Sequence, residues 1–323
     1  MEPVSEYHKE VPDPPKWNEK PYHSLDFMLR ERFGEKVYKV TLNGGMTCPN
    51  RDGKIGRRGC IFCSAGGSGD FAADASLSIT EQINSQIALL GAKRPIRKYI
   101  AYFQAYTNTY APVDYLEKIF TEAISHPSIV ALSVGTRPDC LEPDVLELLG
   151  TLNRQKPVWV ELGLQTIHEK TARYIRRGYP LSCFEHAVQE LRACRLEVIV
   201  HTILGLPGET QDDILATMEY LNQMDIQGIK LQLLHVLAGT DLEEDYARGE
   251  FRVYEREEYL DVLINCLEHL DPSIVIHRMT GDGPGDLLIA PLWASRKREV
   301  LNLLHHRMKD RCSFQGKAFR KRR

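Results

Sequence analysis

Cys48, Cys60 and Cys63 are the residues of this chain whose type and spacing bear most directly on chemistry. They follow the pattern Cys-x11-Cys-x2-Cys, and thiolates grouped in this way hold zinc or an iron–sulfur cluster. A structural zinc site takes four ligands, whereas this stretch offers three. No histidine stands between His23 and His126 to complete the set. Three thiolates suit a cubane [4Fe–4S] cluster with one iron left open to chelate a substrate or cofactor. Spacing alone leaves zinc as the alternative. Gly44, Gly45, Gly53, Gly56, Gly59, Gly66, Gly67 and Gly69 surround the cysteines, so the loop can wrap closely and aim backbone N–H groups at sulfur. The other cysteines, Cys140, Cys183, Cys194, Cys266 and Cys312, are scattered and read as small buried hydrophobes.

Such a loop needs a scaffold. Residues 36–42 form a β-rich run ending at the turn signal Asn43-Gly-Gly45, which places the cysteines just after a first strand. Further strands are expected over 99–103, 129–134, 158–162, 197–203 and 228–234. Helices over 80–90, 113–125, 143–152, 168–174, 183–194 and 211–223 separate them. The apolar runs suit strands buried on both faces, and right-handed βαβ crossovers wind such strands into a doubly wound sheet or a barrel. Six units are fewer than the eight of a closed TIM barrel. The expected architecture is therefore α/β, with residues 1–35 as an N-terminal extension and 36–239 as the core. Residues 240–323 form a small C-terminal α+β segment with a helix over 255–270 and a strand over 274–277. The cysteines would then lie at the C-terminal mouth of the strands, where α/β sites assemble.

Composition narrows the classes. The 323 residues are 43% hydrophobic, and no apolar run approaches the roughly 20 residues of a membrane span. Residues 1–6 are acidic and contain proline, without the basic start and apolar stretch of a signal peptide. A cytoplasmic location is expected, and there eight cysteines do not form a disulfide framework. The net charge of −3 hides a basic end: residues 296–323 carry eleven Lys/Arg against two acids. That end suits contact with a phosphate backbone, or else a solvated tail. His201 on a buried strand, Trp159 and Trp293 read as packing residues rather than ligands.

Three cysteines in a loop after the first strand, with the aromatic Phe62 before the third, resemble the radical S-adenosylmethionine (SAM) superfamily. The x11 gap departs from the commonest Cys-x3-Cys-x2-Cys spacing of that superfamily and resembles the long first gap of Elp3-like members. Thr136-Arg-Pro-Asp139, Val160-Glu-Leu-Gly-Leu-Gln-Thr166, Arg177-Gly-Tyr179 and Gly205-Leu-Pro-Gly-Glu209 follow in the order of Elp3-type cores. Together with Thr47-Cys-Pro-Asn-Arg-Asp-Gly53, Tyr102-Phe-Gln-Ala-Tyr-Thr-Asn108 and Gly281-Asp-Gly-Pro284, the chain looks like the YtqA/YhcC subgroup over residues 15–316.

The resemblance implies a partial (β/α)6 TIM-type barrel in which SAM binds the open iron. It implies reductive cleavage of SAM to a 5′-deoxyadenosyl radical that takes hydrogen from substrate. An electron donor such as flavodoxin or ferredoxin is implied as a partner. Around SAM it implies Phe62 beside the cluster and Gln104 in place of the Gly-Gly-Glu triplet that many relatives use for the methionine amine. Glu161 is implied for the ribose, Arg177 or Arg137 for the carboxylate, and Ile203, Leu204 and Gly205 beside the adenine. It further implies a tRNA substrate met by the basic C-terminal segment. The reaction would convert the wobble-uridine side chain from 5-carboxymethylaminomethyl-(2-thio)uridine toward the aminomethyl form. A radical SAM enzyme acting on a peptide or small metabolite, and a zinc-stabilised RNA-binding module without catalysis, remain as other readings.

Overall fold

The computed structural model describes residues 17–320 apart from 68, 92–96 and 282. Six parallel strands run in sequence order: β1 (Val37–Leu42), β2 (Lys98–Phe103), β3 (Ile129–Thr136), β4 (Val158–Gln165), β5 (Glu197–Leu204) and β6 (Gly228–Leu233). A two-residue strand β7 (Val236–Leu237) follows, then β8 (Val275–Arg278) and β9 (Leu288–Ala290). The α/β partial barrel expected from the sequence is present, with one correction to its strand count. The β8 segment, expected in a separate C-terminal unit, pairs in parallel with β6 and makes the curled sheet seven-stranded, in the order β1-β2-β3-β4-β5-β6-β8. β7 and β9 form a small antiparallel pair near the mouth.

Amphipathic helices cover the outer face of the sheet. The helix Val113–Ser125 buries Leu116, Ile119, Phe120, Ala123 and Ile124, spaced at three and four residues so that one stripe faces the strands. The helix Gln211–Leu221 starts on a capping box in which Thr210 and Asp213 satisfy each other's backbone N–H groups. Outward strand residues such as Val40, Leu132, Val160, Val198 and Leu231 join this outer core.

Residues at alternate positions point into the barrel. Val37, Ile100, Ala131, Trp159 and Ile199 pack with Leu29 of the helix Leu25–Phe33 into an apolar plug at the N-terminal end of the strands. Trp159 is a packing residue, as expected, and its ring meets His277 edge-on at 5.7 Å. Trp293, half-buried, packs on Tyr259 and donates its indole N–H to the Tyr254 carbonyl at 3.1 Å. Cys140 and Cys266 are buried, but Cys312 is exposed just after the helix Lys297–Asp310, against the expectation of a buried hydrophobe. Among the described residues, no helix is long and apolar enough to cross a membrane.

Candidate active site

Two residues further along each strand, at the next inward position, the barrel interior changes from apolar to polar and charged. Glu161, in the middle of β4, is fully buried, and both of its oxygens are occupied. Oε1 accepts from Lys39 Nζ of β1 at 2.5 Å and Ser133 Oγ of β3 at 2.6 Å. Oε2 bonds His201 Nε2 of β5 at 2.7 Å and accepts from Lys230 Nζ of β6. Lys230 also donates to Tyr102 Oη of β2 at 3.0 Å. Burial opposes the charge on Glu161, yet Lys230 and Lys39 hold its carboxyl well below the usual range. Burial pushes Lys230 down to about 7, against the pull of Glu161. His201 falls to about 4, first through burial and then through the Lys230 charge.

Above this band sits the cysteine loop. Cys48, Cys60 and Cys63 are all partly buried and line one cavity together with Phe62, Gln104 and Tyr106. The same cavity reaches down to Tyr102, Glu161, His201, Lys230 and Arg278. A second cavity shares Phe62, Cys63, Gln104, His201 and Arg278 with the first and extends to Phe71, His235 and Gly283. The loop is fixed from several sides. Asn50 Nδ2 donates to the Arg176 carbonyl at 2.8 Å and approaches Cys60 Sγ at 3.6 Å. Arg51 Nη2 donates to the carbonyls of Cys63 and Ser64 at 2.9 and 2.6 Å. Backbone bonds tie Ile61 to Ile175 and to Leu242. Gly67 has φ +59°, and a Cβ there would lie 2.2 Å from the Tyr106 ring, so the loop's tight return needs this glycine.

Several residues expected at the site stand differently. Phe62 and Ile203 do line the cavity walls and pack on a small apolar cluster of Ile61, Ile175 and Leu206. Gln104, directly after β2, borders both cavities. Leu204 is one residue out of phase with Ile203 and lies in the outer core, facing away from the site. Gly205 has φ +88°, and a Cβ would stand 3.0 Å from the Tyr254 ring, so it serves a turn away from both cavities. Glu161 is not a strand-end carboxylate open to a ribose, because β4 continues to Gln165 and four side chains occupy its oxygens.

Arg177 is almost fully buried, and its guanidinium is committed to the carbonyls of Leu164, Thr166 and Tyr179 and to Glu169. It lines the cavity wall and braces the β4–loop junction. Arg137 makes a two-point contact with Asp139 at 2.9 and 2.8 Å and donates to the Arg177 carbonyl. It lies on the cavity wall near Cys60, whose thiolate its charge favours. His201 is no mere core residue, since it joins Glu161 and faces the cavity. The reading of the sequence missed Lys39, Asn50, Arg51, Tyr102, Lys230 and Arg278. For the lysines a signal exists: Lys39 and Lys230 each interrupt an apolar strand run, and a buried charge requires a partner.

Residues 52–221 match the Radical SAM superfamily and residues 226–310 match the Radical SAM C-terminal domain. This chain belongs to the radical SAM superfamily. The Bacillus subtilis protein YtqA is 43% identical over 303 residues, covering 94% of each chain. The tRNA uridine(34) acetyltransferase of Methanocaldococcus infernus is 26% identical over 191 residues, 57% of this chain and 34% of that protein. Among solved structures, the archaeal Methanocaldococcus infernus Elp3 with an N-terminal deletion aligns at a TM-score of 0.66 and 19% identity. It covers 86% of this chain and 64% of that chain, and it shares the fold.

As a radical SAM protein the chain binds a [4Fe–4S] cluster and S-adenosylmethionine. Its thiols suit such a group. The three thiols line one cavity together, as the ligands of a cubane cluster would. Burial pushes the Cys60 thiol up to about 12, so its thiolate needs the positive charge a bound cluster brings. Burial opposes the Arg51 charge, but the Cys63 and Cys48 sulfurs favour it and raise its pKa.

Proposed function

We propose that Cys48, Cys60 and Cys63 ligate the cluster and that this enzyme modifies the side chain of a tRNA wobble uridine. The observation that carries the first part is the single cavity shared by the three thiols and the inward face of the barrel. When bound and reduced, the cluster supplies the one electron that breaks a carbon–sulfur bond of SAM. The chain's own residues hold that chemistry in place. Asn50 directs an N–H at Cys60, and Arg51 fixes the backbone at Cys63 and Ser64. Phe62 and Ile203 supply apolar wall and keep water from the reacting centre. Gln104 borders the opening where the methionine part of SAM would lie.

The tRNA reading is supported by the similarity to a tRNA uridine(34) acetyltransferase and by the basic C-terminal end. Part of that basic charge is spent inside the molecule: Arg307 pairs with Glu257 and Asp261, and Arg311 with Asp261. Arg298 and Lys309 remain on the exposed surface of the last helix, and Arg296, exposed just before it, stands 3.8 Å from Glu299. Residues 321–323, which belong to the same basic run, lie outside the described residues. The reaction is the conversion of 5-carboxymethylaminomethyluridine, with or without the 2-thio group, to the aminomethyl form. The carbon between nitrogen and carboxylate loses two electrons, SAM is the oxidant and leaves as methionine and 5′-deoxyadenosine, and water releases the two-carbon fragment as an oxo acid.

Anaerobic incubation of the reconstituted enzyme with SAM, a reductant and undermodified tRNA tests both parts. Formation of 5′-deoxyadenosine together with aminomethyluridine, read by mass spectrometry, is the expected result. SAM cleavage with unchanged wobble nucleosides sinks the tRNA assignment and leaves a peptide or small metabolite as substrate. Absence of iron and of SAM cleavage after mild reconstitution sinks the first part.

A further inference from the structure

The two cavities meet at a small set of side chains: Phe62, Cys63, His201, Arg278 and three glutamines line both of them. A substrate filling the second cavity would present its reacting carbon at this junction, beside Cys63. Phenyl and carboxamide groups are not bases near neutrality, and a guanidinium keeps its proton. Cys63, as a proposed cluster ligand, is committed elsewhere. Among the described residues, His201 is the one shared side chain able to take up a proton and return it.

Its hydrogen bonds decide which nitrogen does so. His201 Nε2 lies 2.7 Å from Glu161 Oε2, and Lys39, Ser133 and Lys230 also donate to that carboxylate. A carboxylate between two ammonium groups is ionised and can only accept, so Nε2 carries the ring's proton. Nδ1 is then the nitrogen with the lone pair, and it stands 3.4 Å from the Gln232 amide. Gln232 is two residues beyond Lys230 along β6, toward the end of the strand where the cysteines lie. The ring thus turns its N–H to the buried band and its lone pair to the mouth. Its side chain is 19% exposed, whereas that of Glu161 is 0% exposed.

We propose that His201 is the general base of the reaction, its Nδ1 taking the proton that the substrate nitrogen sheds as the adjoining carbon is oxidised. The inference rests on the proposed conversion of the carboxymethylaminomethyl side chain. Starting from the unprotonated amine, a hydrogen atom leaves the carbon between nitrogen and carboxylate and ends in 5′-deoxyadenosine. The second electron replaces the one spent in opening SAM, the N–H proton goes to His201, and a carbon–nitrogen double bond forms. Water adds to that carbon, and His201 returns its proton to nitrogen as the bond to the two-carbon fragment breaks. The products are the aminomethyl group as its ammonium ion and an oxo acid. A buried carboxylate that holds one imidazole nitrogen keeps the other in position for this work.

The remaining titratable groups of the band are Lys39 of β1, Tyr102 of β2, Lys230 of β6, and His277 and Arg278 of β8. Burial and the Lys230 charge push His201 down to about 4, so the ring stays unprotonated until the reaction supplies a proton. Lys230, bonded to the same Glu161 oxygen and pushed down to about 7, can release a proton as His201 gains one. The charge of the band then need not rise.

The test uses the full chain, reconstituted anaerobically, with SAM, a reductant and tRNA bearing 5-carboxymethylaminomethyluridine. Both 5′-deoxyadenosine and aminomethyluridine are counted. His201→Gln keeps an N–H for Glu161 but offers no base. It should lower aminomethyluridine by about a hundredfold or more, well beyond any fall in 5′-deoxyadenosine. That deficit should narrow from about pH 7 to 9 as hydroxide stands in for the ring, which a merely structural role would not produce. In the wild type, aminomethyluridine should form more slowly in deuterium oxide. His201→Asn answers where His201→Gln fails to take up iron.

Equal falls in both products overturn the inference, as do a deficit that is constant with pH and a wild-type rate that is the same in both solvents. Wild-type conversion that persists undiminished in the variant removes the role of His201 alone. A wild type that cleaves SAM and leaves the nucleoside unchanged removes the tRNA reading and this role with it.

Discussion

The cysteine loop and the charged band beneath it border one cavity, yet they are built in opposite ways. Glu161 is fixed by four side chains from four strands, so its position follows from the parallel register of the sheet. Cys60 Sγ meets the Asn50 amide and the Arg176 carbonyl, each at 3.6 Å, on a glycine-bearing loop held by backbone contacts. Groups that must meet a reagent of variable shape sit on a loop, and groups that must keep charge buried sit on strands. The loop can lose a ligand without the barrel losing its fold; the band cannot lose Glu161 so cheaply.

The largest expected effect breaks function alone. Replacing any one of Cys48, Cys60 or Cys63 by alanine should remove the cluster's iron absorbance and lower SAM cleavage by at least about a thousandfold, with a melting temperature within a few degrees of wild type. A large fall in melting temperature would show that the loop carries the fold as well. Glu161→Gln should do the converse, leaving Lys39 and Lys230 without their counter-charge and costing about 3–5 kcal/mol by urea unfolding of the cluster-free protein. Arg51→Ala should lie between, leaving the buried carbonyls of Cys63 and Ser64 short of a donor at a cost of about 1–3 kcal/mol and speeding iron loss on dilution.

Gly205→Ala sharpens the outer limit of the site. The positive φ and the Tyr254 ring should cost about 1–2 kcal/mol, while the SAM affinity stays unchanged. A weakened SAM affinity would restore Gly205 to the adenine. The smallest effect is one of pH. Lys230 holds its proton less firmly folded than unfolded, so between about pH 7 and 10 the unfolded chain binds more protons and stability rises with pH on this account. Glu161 acts at the other end, contributing stability above its unfolded value that is lost as acid protonates it. The rise in the urea midpoint from pH 7 to 9 should therefore be smaller in Lys230→Met than in wild type.

Legibility in the sequence followed the same division. Apolar runs and helical spacing announced β1 to β6, and the turn after residue 42 announced where the cysteines would sit. Nothing in the four residues of β8 says which strand they join, because a long crossover separates them from β6 and pairing is a tertiary matter. Arg177 carries the charge that a carboxylate wants, but the carbonyls of Leu164, Thr166 and Tyr179 that consume its donors converge on it only in the fold. The outward turn of Leu204 is legible in the strand's period of two, since a strand that turns Ile203 inward must turn its neighbour out.

The seventh strand has a further consequence. The sheet runs from β1 at one edge to β8 at the other, and these two do not pair. The helix Leu25–Phe33 packs against both edges at the plugged end, and a single bridge joins Ser24 to Ile276. At the other end, Asp70 and Phe71 of the chain after β1 face Gly281, Gly283 and Pro284 of the chain after β8 across the second cavity. The two edges of the sheet are thus joined by a helix and a bridge at the plugged end, while at the other end their loops share the wall of a cavity.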